Sequence, residues 1–182
     1  MTVMRSLSLV TLTIVGLCTV SASRLDAQEK VEVEGIRNFS RVSTTIACGG
    51  ATSPDAMAAI KDMGYVSVIN LRLPDENGAT NDAGRAAAEA VGMKYIHLPF
   101  TPTAPDREAT VERFIEEVGK DENLPAYVHC GSANRVGGLW MIKRVLVDGW
   151  DQPAALTEAE AIGLSSQPVR DFVTEYLATH QR

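Results

Sequence analysis

The sequence lacks the features that mark several classes of protein. Its 182 residues contain no low-complexity stretch, no internal repeat and no obvious linker. This favours one globular domain, since domains cluster at roughly 100–200 residues. The chain has three cysteines and three histidines. None of them forms, with neighbouring carboxylates, a cluster with metal-ligand spacing, so we expect neither a metal nor another cofactor.

An excess of positive charge is also missing. Seventeen lysines and arginines stand against 23 aspartates and glutamates, which gives a formal net charge of −6 at pH 7. Nucleic acids and anionic membrane surfaces bind proteins through basic faces. We therefore expect neither as a partner, while the oligomeric state stays open.

A hydrophobic run long enough to span a membrane is absent as well. The apolar segment 7–20 has about 14 residues, and a spanning helix needs roughly 20. It follows the basic Arg5 and precedes the small residues Ser21 and Ala22. This order predicts a secretory signal peptide over residues 1–22 and a mature protein that is periplasmic or secreted. An uncleaved N-terminal anchor is the alternative.

Strands and helices alternate along the rest of the chain. Residues 24–43 show no clear period, whereas β-branched or apolar runs predict strands at 44–48, 65–71, 93–98 and 126–129. Helices are predicted from Ser53-Pro54 onwards and over 81–91, 107–120, 136–147, 153–163 and 167–179. This alternation predicts one α/β domain over residues 30–182, with a mostly parallel central sheet flanked by helices in three layers.

Chemically useful residues follow three of the predicted strands. They are Cys48-Gly49, the segment 70–72 and the segment 130–135. Ligands of such sheets bind beyond the carboxyl ends of the strands. We therefore expect the three groups to meet in space.

The loop from Cys130 to Arg135 has the pattern of an anion-binding loop. A strand leads into it, and a helix follows it directly. Backbone N–H groups and a helix N-terminus together attract an anion, so residues 131–135 are candidate phosphate ligands (Gly131, Ser132, Ala133, Asn134 and Arg135). The same field stabilises a thiolate on Cys130, and the planar fork of Arg135 can bind two oxygens. An inert buried cysteine is the alternative.

This loop resembles the signature of the cysteine-based phosphatases, both protein tyrosine and dual-specificity. More closely, the mature chain is similar to a small bacterial phosphatase-like family related to the domain fused to β-lactamase-like hydrolases. The similar stretches are Asn38-Phe39, 47–50, 68–72, 95–99 and the cysteine loop up to Leu139-Trp140. The resemblance implies a phosphatase-like fold and a small anionic or phosphorylated substrate. It also implies Cys130 as the nucleophile that becomes a phospho-cysteine, and Arg135 as the phosphate binder.

Two departures from the phosphatase pattern keep other functions open. Four residues separate Cys130 from Arg135, where phosphatases have five. Rhodanese-type sulfurtransferases use a six-residue loop of this kind. Val136 stands where phosphatases place a serine or threonine that assists breakdown of the phospho-cysteine. The candidate functions are therefore a phosphomonoester hydrolase, a sulfurtransferase and a non-catalytic anion-binding module.

Two charged side chains each have two interpretations. Asp106 lies on the loop before a predicted helix, where it is either the general acid of catalysis or a helix cap, alone or in a capping box with Thr103. Arg72 is either a second contact for the bound anion or the ion-pair partner of Asp75 or Glu76.

Three further residues near the strand ends are expected to have structural roles. Asn70 and His129 are predicted to order the loops by hydrogen bonding. Cys48 is predicted either to pack as a small apolar residue or to form a reversible disulfide with Cys130.

Overall fold

The computed structural model describes residues 29–180, so the predicted signal peptide lies outside the described residues. The strands are β1 (Glu29–Lys30), β2 (Ser40–Arg41), β3 (Ile46–Gly49), β4 (Ser67–Asn70), β5 (Lys94–His97) and β6 (Ala126–His129). The α-helices are α1 (Met57–Asp62), α2 (Asn81–Ala90), α3 (Arg107–Val118), α4 (Asn134–Leu146), α5 (Gln152–Ile162) and α6 (Gln167–His180). Short 3₁₀ helices occupy Pro54–Ala56 and Asp121–Asn123. Between residues 29 and 180, no helix is long and apolar enough to cross a membrane.

The strands form one mixed sheet in the order β1-β2-β3-β6-β4-β5. The four strands from β3 to β5 in this order run parallel, and β1 and β2 are antiparallel additions at one edge. The predicted mostly parallel sheet is confirmed. The sequence did not predict β1 and β2, because strands of two residues are too short for an alternating pattern to show.

Alternate residues of the central strands face two separate cores. In β6, Val128 packs with helices α3 to α6 on one face, and Tyr127 packs with α1 and α2 on the other. All four residues of β6 are buried. Burial on both faces explains why the central strands read as continuous apolar runs. The three-layer arrangement is confirmed.

Two helix starts differ from their predicted positions. Ser53 makes no side-chain capping bond, and Pro54 begins a 3₁₀ turn that leads into α1. Helix α4 begins at Asn134, two positions earlier than the predicted start at 136. This earlier start follows from the left-handed backbone of Ala133, whose φ of 69° ends the loop. As a result Arg135 lies in the first turn of α4.

The register of the sheet brings the predicted site residues together. Gly49 of β3 and Asn70 of β4 lie on either side of His129 of β6. All three strands end at the same edge, and Cys130 directly follows β6. The expectation that the three groups meet is confirmed.

Candidate active site

The backbone of the cysteine loop has its carbonyl groups bound and several amides free. Three successive carbonyl oxygens accept hydrogen bonds: Gly131 from Ala51 N (3.0 Å), Ser132 from Asn38 Nδ2 (3.2 Å) and Ala133 from Gly137 N (2.9 Å). Within the range 29–180, no hydrogen bond is donated by the backbone N–H groups of Gly131, Ser132, Asn134 and Arg135. Bound carbonyls and unpaired amides before a helix N-terminus are what an anion-binding loop requires.

Cys130 lies at the start of this loop. Its backbone N–H donates to Gly49 O at 3.2 Å, which fixes it to the neighbouring strand. The residue has no exposed surface. The thiol is therefore shielded from solvent.

Arg135 is held in place but keeps donors for a ligand. Its Nη1 donates to Leu71 O (3.1 Å) and Phe100 O (3.2 Å), and its Nη2 donates to Glu76 Oε2 (2.6 Å). A guanidinium has five N–H donors. Within the described chain the three bonds leave Nε–H and one Nη2–H unused. Arg135 can therefore bind two oxygens of an anion while the protein holds the rest of its fork.

Glu76 is the site residue that the sequence did not reveal. Its Oε1 accepts from Arg72 Nε at 3.0 Å, and its Oε2 accepts from Arg135. Its Oε1 also lies 2.7 Å from the point that a Cβ at position 131 would occupy, so Gly131 leaves room for this carboxylate. The sequence predicted one ion pair, between Arg72 and either Asp75 or Glu76. The second pair, with Arg135, depends on the fold.

Opposing effects set the charge of Glu76. Burial by itself would raise the pKa of this carboxyl, but the hydrogen bond and charge of Arg135, together with Leu73 N–H and Arg72, lower it below its usual value. Glu76 is therefore an anion at neutral pH. This makes it a holder of Arg135 rather than a proton donor.

We expect the contribution of Glu76 to stability to disappear in acid. Its folded pKa is lowered, so the stabilisation is present above the unfolded pKa of about 4.3 and is lost as pH falls through the folded pKa. Glu76→Gln should lower the free energy of unfolding at pH 7 by about 1–2 kcal/mol. Urea unfolding should show that the difference in free energy of unfolding between the wild type and Glu76→Gln is smaller at pH 3 than at pH 7.

The control for this experiment is Glu160→Gln. Glu160 pairs with Arg170 at the surface and its side chain is 47% exposed, so its loss should change stability little at either pH. If the difference in free energy of unfolding between the wild type and Glu76→Gln were as large at pH 3 as at pH 7, Glu76 would not be the ionised carboxylate described above.

Arg72 is held within its own loop through all three nitrogens of its guanidinium. Its Nε binds Glu76, its Nη1 donates to Gly78 O (2.8 Å) and its Nη2 donates to Asn77 O (2.8 Å). The ion pair with Glu76 is confirmed, and direct contact with an anion stays a prediction. Asn70 orders this loop as expected, because its Oδ1 accepts from Arg72 N at 2.9 Å.

The side chain of Asn134 faces away from the anion loop. Its Oδ1 accepts from the backbone N–H groups of Ser165 (2.8 Å) and Ser166 (2.9 Å), and its Nδ2 donates to Ser166 Oγ. These bonds tie the start of α4 to the connection between α5 and α6. Only the backbone amide of Asn134 is left for a phosphate.

His129 does not order the loop by hydrogen bonding, so that prediction is wrong. Within the described residues neither ring nitrogen has a hydrogen-bond partner, and the ring stacks on Tyr127 with centroids 5.7 Å apart. Burial, with a smaller effect from the charge of Arg72, lowers its pKa to about 4, although backbone groups of Gly50 and Cys130 act in the opposite direction. His129 is therefore a neutral, packed ring at pH 7.

Asp106 does not cap the helix that follows it. It occupies the N-cap position of α3 but makes no capping bond, and Thr103 pairs with Thr101 instead (3.3 Å). The capping interpretation is wrong. Within residues 29–180 the exposed Asp106 carboxylate accepts no hydrogen bond, and its role as an acid stays a prediction.

Cys48 and Cys130 are both free and fully buried on the same face of the sheet. Cys48 is aligned with Val128, two residues before Cys130. Strand spacing and rise then separate the two Cα atoms by roughly 8 Å, beyond the roughly 7 Å limit for a disulfide. Burial raises the pKa of Cys48, and nearby Glu158 and Cys130 add to this. Cys48 therefore packs as a small apolar residue.

Comparison with known families gives one match. Residues 38–147 match the family described as "Beta-lactamase hydrolase-like protein, phosphatase-like domain". The matched range contains the whole cysteine loop, so the short spacing from Cys130 to Arg135 does not take the chain outside this family. No curated protein matches the sequence significantly.

Several solved structures have the same fold. A DUF442 protein of Shewanella putrefaciens CN-32 is 21% identical, with 81% of this chain and 96% of that chain covered and a TM-score of 0.66. P. aeruginosa TpbA is 22% identical, with coverages of 84% and 92% and a TM-score of 0.64. The catalytic core of S. cerevisiae SIW14 is 18% identical, with coverages of 80% and 88% and a TM-score of 0.63. The phosphatase-like α/β fold is confirmed.

Proposed function

This chain belongs to the family of phosphatase-like domains of beta-lactamase hydrolase-like proteins, and on that basis we propose that it hydrolyses phosphomonoesters through Cys130. One observation carries the proposal. The carbonyls of the loop after Cys130 are bound by the protein, while its amides and two donors of Arg135 are unused. A phosphate dianion needs such a set of donors beside the nucleophile.

The related structures support a small phosphorylated substrate. A cysteine-to-serine variant of TpbA was crystallised with phosphotyrosine. SIW14 is described as a PP-IP phosphatase, and its core was crystallised with citrate, another anion. We propose a small phosphomonoester such as phosphotyrosine as the substrate, bound by the loop amides and Arg135.

In the first step the Cys130 thiolate attacks phosphorus. An S–P bond forms as the P–O bond to the leaving group breaks, and the leaving oxygen takes a proton from Asp106. The amides of the loop and Arg135 stabilise the charge on the three transferred oxygens. The carbonyls of Leu71 and Phe100 and the carboxylate of Glu76 keep Arg135 oriented.

In the second step water attacks the phospho-cysteine. The S–P bond breaks, the thiolate is restored, and the Asp106 carboxylate takes the proton from water. Val136 is fully buried and has no hydroxyl to assist. The side chain of Asn134 is bound to Ser165 and Ser166, so the exposed Ser132 hydroxyl is the remaining group of the loop that can assist.

One pair of assays tests this proposal. The full chain should hydrolyse p-nitrophenyl phosphate and phosphotyrosine, and should not transfer sulfur from thiosulfate to cyanide. Sulfur transfer without phosphate release would support the sulfurtransferase alternative. Phosphate binding without either reaction would support a non-catalytic anion-binding module.

We expect Asp106→Asn to affect poor leaving groups most. Phosphotyrosine releases a phenol with a pKa near 10, which needs a proton to leave, whereas p-nitrophenol leaves as a stable anion. The variant should lose about 10²-fold in kcat on phosphotyrosine and much less on p-nitrophenyl phosphate. Steady-state kinetics on both substrates measure the difference.

Asp75→Asn is the matched control for Asp106, because Asp75 is also exposed and follows another strand of the site edge. It should change neither kcat. Equal losses on both substrates for Asp106→Asn would argue against proton donation.

We also propose that the protein is exported by its N-terminal segment. The basic, apolar and small-residue parts of residues 1–22 support this. Cell fractionation should find the protein outside the cytoplasm with a new N-terminus after Ala22 or Ala27. Deletion of residues 2–22 should retain it in the cytoplasm.

A further inference from the structure

Between residues 29 and 180, two residues other than glycine have a positive φ: Asn38 at 52° and Ala133 at 69°. They are far apart in sequence but meet at one peptide group. Asn38 Nδ2 donates to the carbonyl oxygen of Ser132 at 3.2 Å, and this carbonyl belongs to the peptide that joins Ser132 to Ala133. The unusual backbone at both positions is therefore connected by one hydrogen bond.

Ala133 adopts a conformation that alanine disfavours. Its Cβ meets the following carbonyl in the left-handed region, so the surroundings must hold it there. Ala133 is fully buried, and a Cβ at Gly163 would lie 3.1 Å from the Cβ of Ala133 and 3.2 Å from Ser132 O. Gly163 therefore packs closely against the peptide that joins Ser132 to Ala133, and Asn38 donates its hydrogen bond to the carbonyl of the same peptide.

We infer that Asn38 is a positioning residue for the anion-binding loop. Its side chain fixes the peptide plane between Ser132 and Ala133, which keeps Ala133 at positive φ. The unpaired backbone N–H groups of Ser132 and Asn134 belong to the peptides before and after this one. The orientation of the Ser132–Ala133 peptide therefore determines the direction in which these two N–H groups point. This inference rests on the proposed function for the identity of the ligand, since phosphate is the anion that these amides would bind.

Asparagine combines the two properties that this position needs. It tolerates the left-handed region better than most residues, and its amide nitrogen donates a hydrogen bond. Aspartate has the same shape but cannot donate when ionised, and glycine tolerates positive φ but has no side chain. Asn38→Asp and Asn38→Gly therefore remove the donor without straining the backbone at position 38.

The experiment measures phosphate and vanadate binding by calorimetry, kcat and KM on p-nitrophenyl phosphate, and thermal stability. Asn38→Gly should bind the oxyanions about tenfold more weakly, the effect of losing one net hydrogen bond. Asn38→Asp should bind them at least as weakly, because its carboxylate also repels an anion. The melting temperature should change little, because Asn38 is exposed. A loss of stability with unchanged oxyanion affinity would overturn the inference.

A second substitution tests the route through Ala133. Ala133→Gly lets position 133 adopt positive φ without help. In its presence, Asn38→Gly should weaken oxyanion binding by much less than tenfold. An unchanged tenfold loss would show that Asn38 does not act through this peptide. Binding is measured without turnover, so an inactive wild-type protein would overturn the proposed function and still leave this comparison decisive.

Discussion

Cys130→Ser should leave a folded protein that binds phosphate and has no measurable turnover. Serine is close in size to cysteine, so the buried site keeps its shape. Its hydroxyl is a far weaker nucleophile at neutral pH than the sulfur of a cysteine. Removing the nucleophile of a covalent mechanism costs at least about 10⁴-fold in kcat. Phosphate affinity by calorimetry and turnover of p-nitrophenyl phosphate are the measurements.

Cys48→Ser is the control for Cys130→Ser, because it tests whether a serine in this core lowers turnover through packing alone. Cys48 is equally buried on the same face of the sheet, so its replacement also places a hydroxyl in an apolar core. It should lower stability by about 1–3 kcal/mol and leave kcat unchanged. Retained turnover in Cys130→Ser would show that the chemistry does not use this sulfur.

Trapping the intermediate makes the same test more specific. Quenching with denaturant at alkaline pH, where an S–P bond survives, during turnover of a ³²P-labelled substrate should leave label on the wild-type chain. Cys130→Ser should carry none. Labelled wild type together with slow release of phosphate would point to the missing hydroxyl at Val136 as the slow step, because breakdown of the phospho-cysteine is where that hydroxyl acts in related phosphatases.

The sequence predicted the parts of the fold that depend on local patterns. Strand β6 was placed at its observed bounds because a buried apolar run leads directly into a loop with Gly131. The helices predicted over 81–91, 153–163 and 167–179 agree with α2, α5 and α6 to within one or two residues. The meeting of three strand ends followed from the rule that ligands of parallel sheets bind beyond the carboxyl ends.

The parts that sequence did not predict depend on contacts between distant segments. Glu76 reaches Arg135 across 59 positions, and Asn38 reaches Ser132 across 94. Local sequence patterns do not reveal contacts between residues that are so far apart in the chain. His129 was expected to order the loop by hydrogen bonding, yet the fold places its ring on Tyr127.

Arg135→Lys should lower turnover by about 10²–10³-fold, the range for losing a donor that stabilises transition-state charge. The Arg135 fork binds Leu71 O, Phe100 O and Glu76 and still has two N–H groups for the substrate. An ammonium has three donors on one atom and cannot serve all these partners together. Phosphate affinity should also fall, and kcat/KM on p-nitrophenyl phosphate measures the combined loss.

Arg144→Lys is the control for Arg135→Lys, because Arg144 also forms several bonds through its fork. It binds Glu158 and Asp148 and lies over the Trp150 ring at 4.3 Å, within the packing of α4 and α5. Its replacement should lower the melting temperature without changing kcat per folded molecule. Arg135→Lys should do the reverse, with a modest loss of stability and a large loss of turnover. Near-normal kcat/KM in Arg135→Lys would mean that Arg135 only joins Glu76 to the strand ends, since a lysine can still pair with a carboxylate but cannot bind two phosphate oxygens side by side.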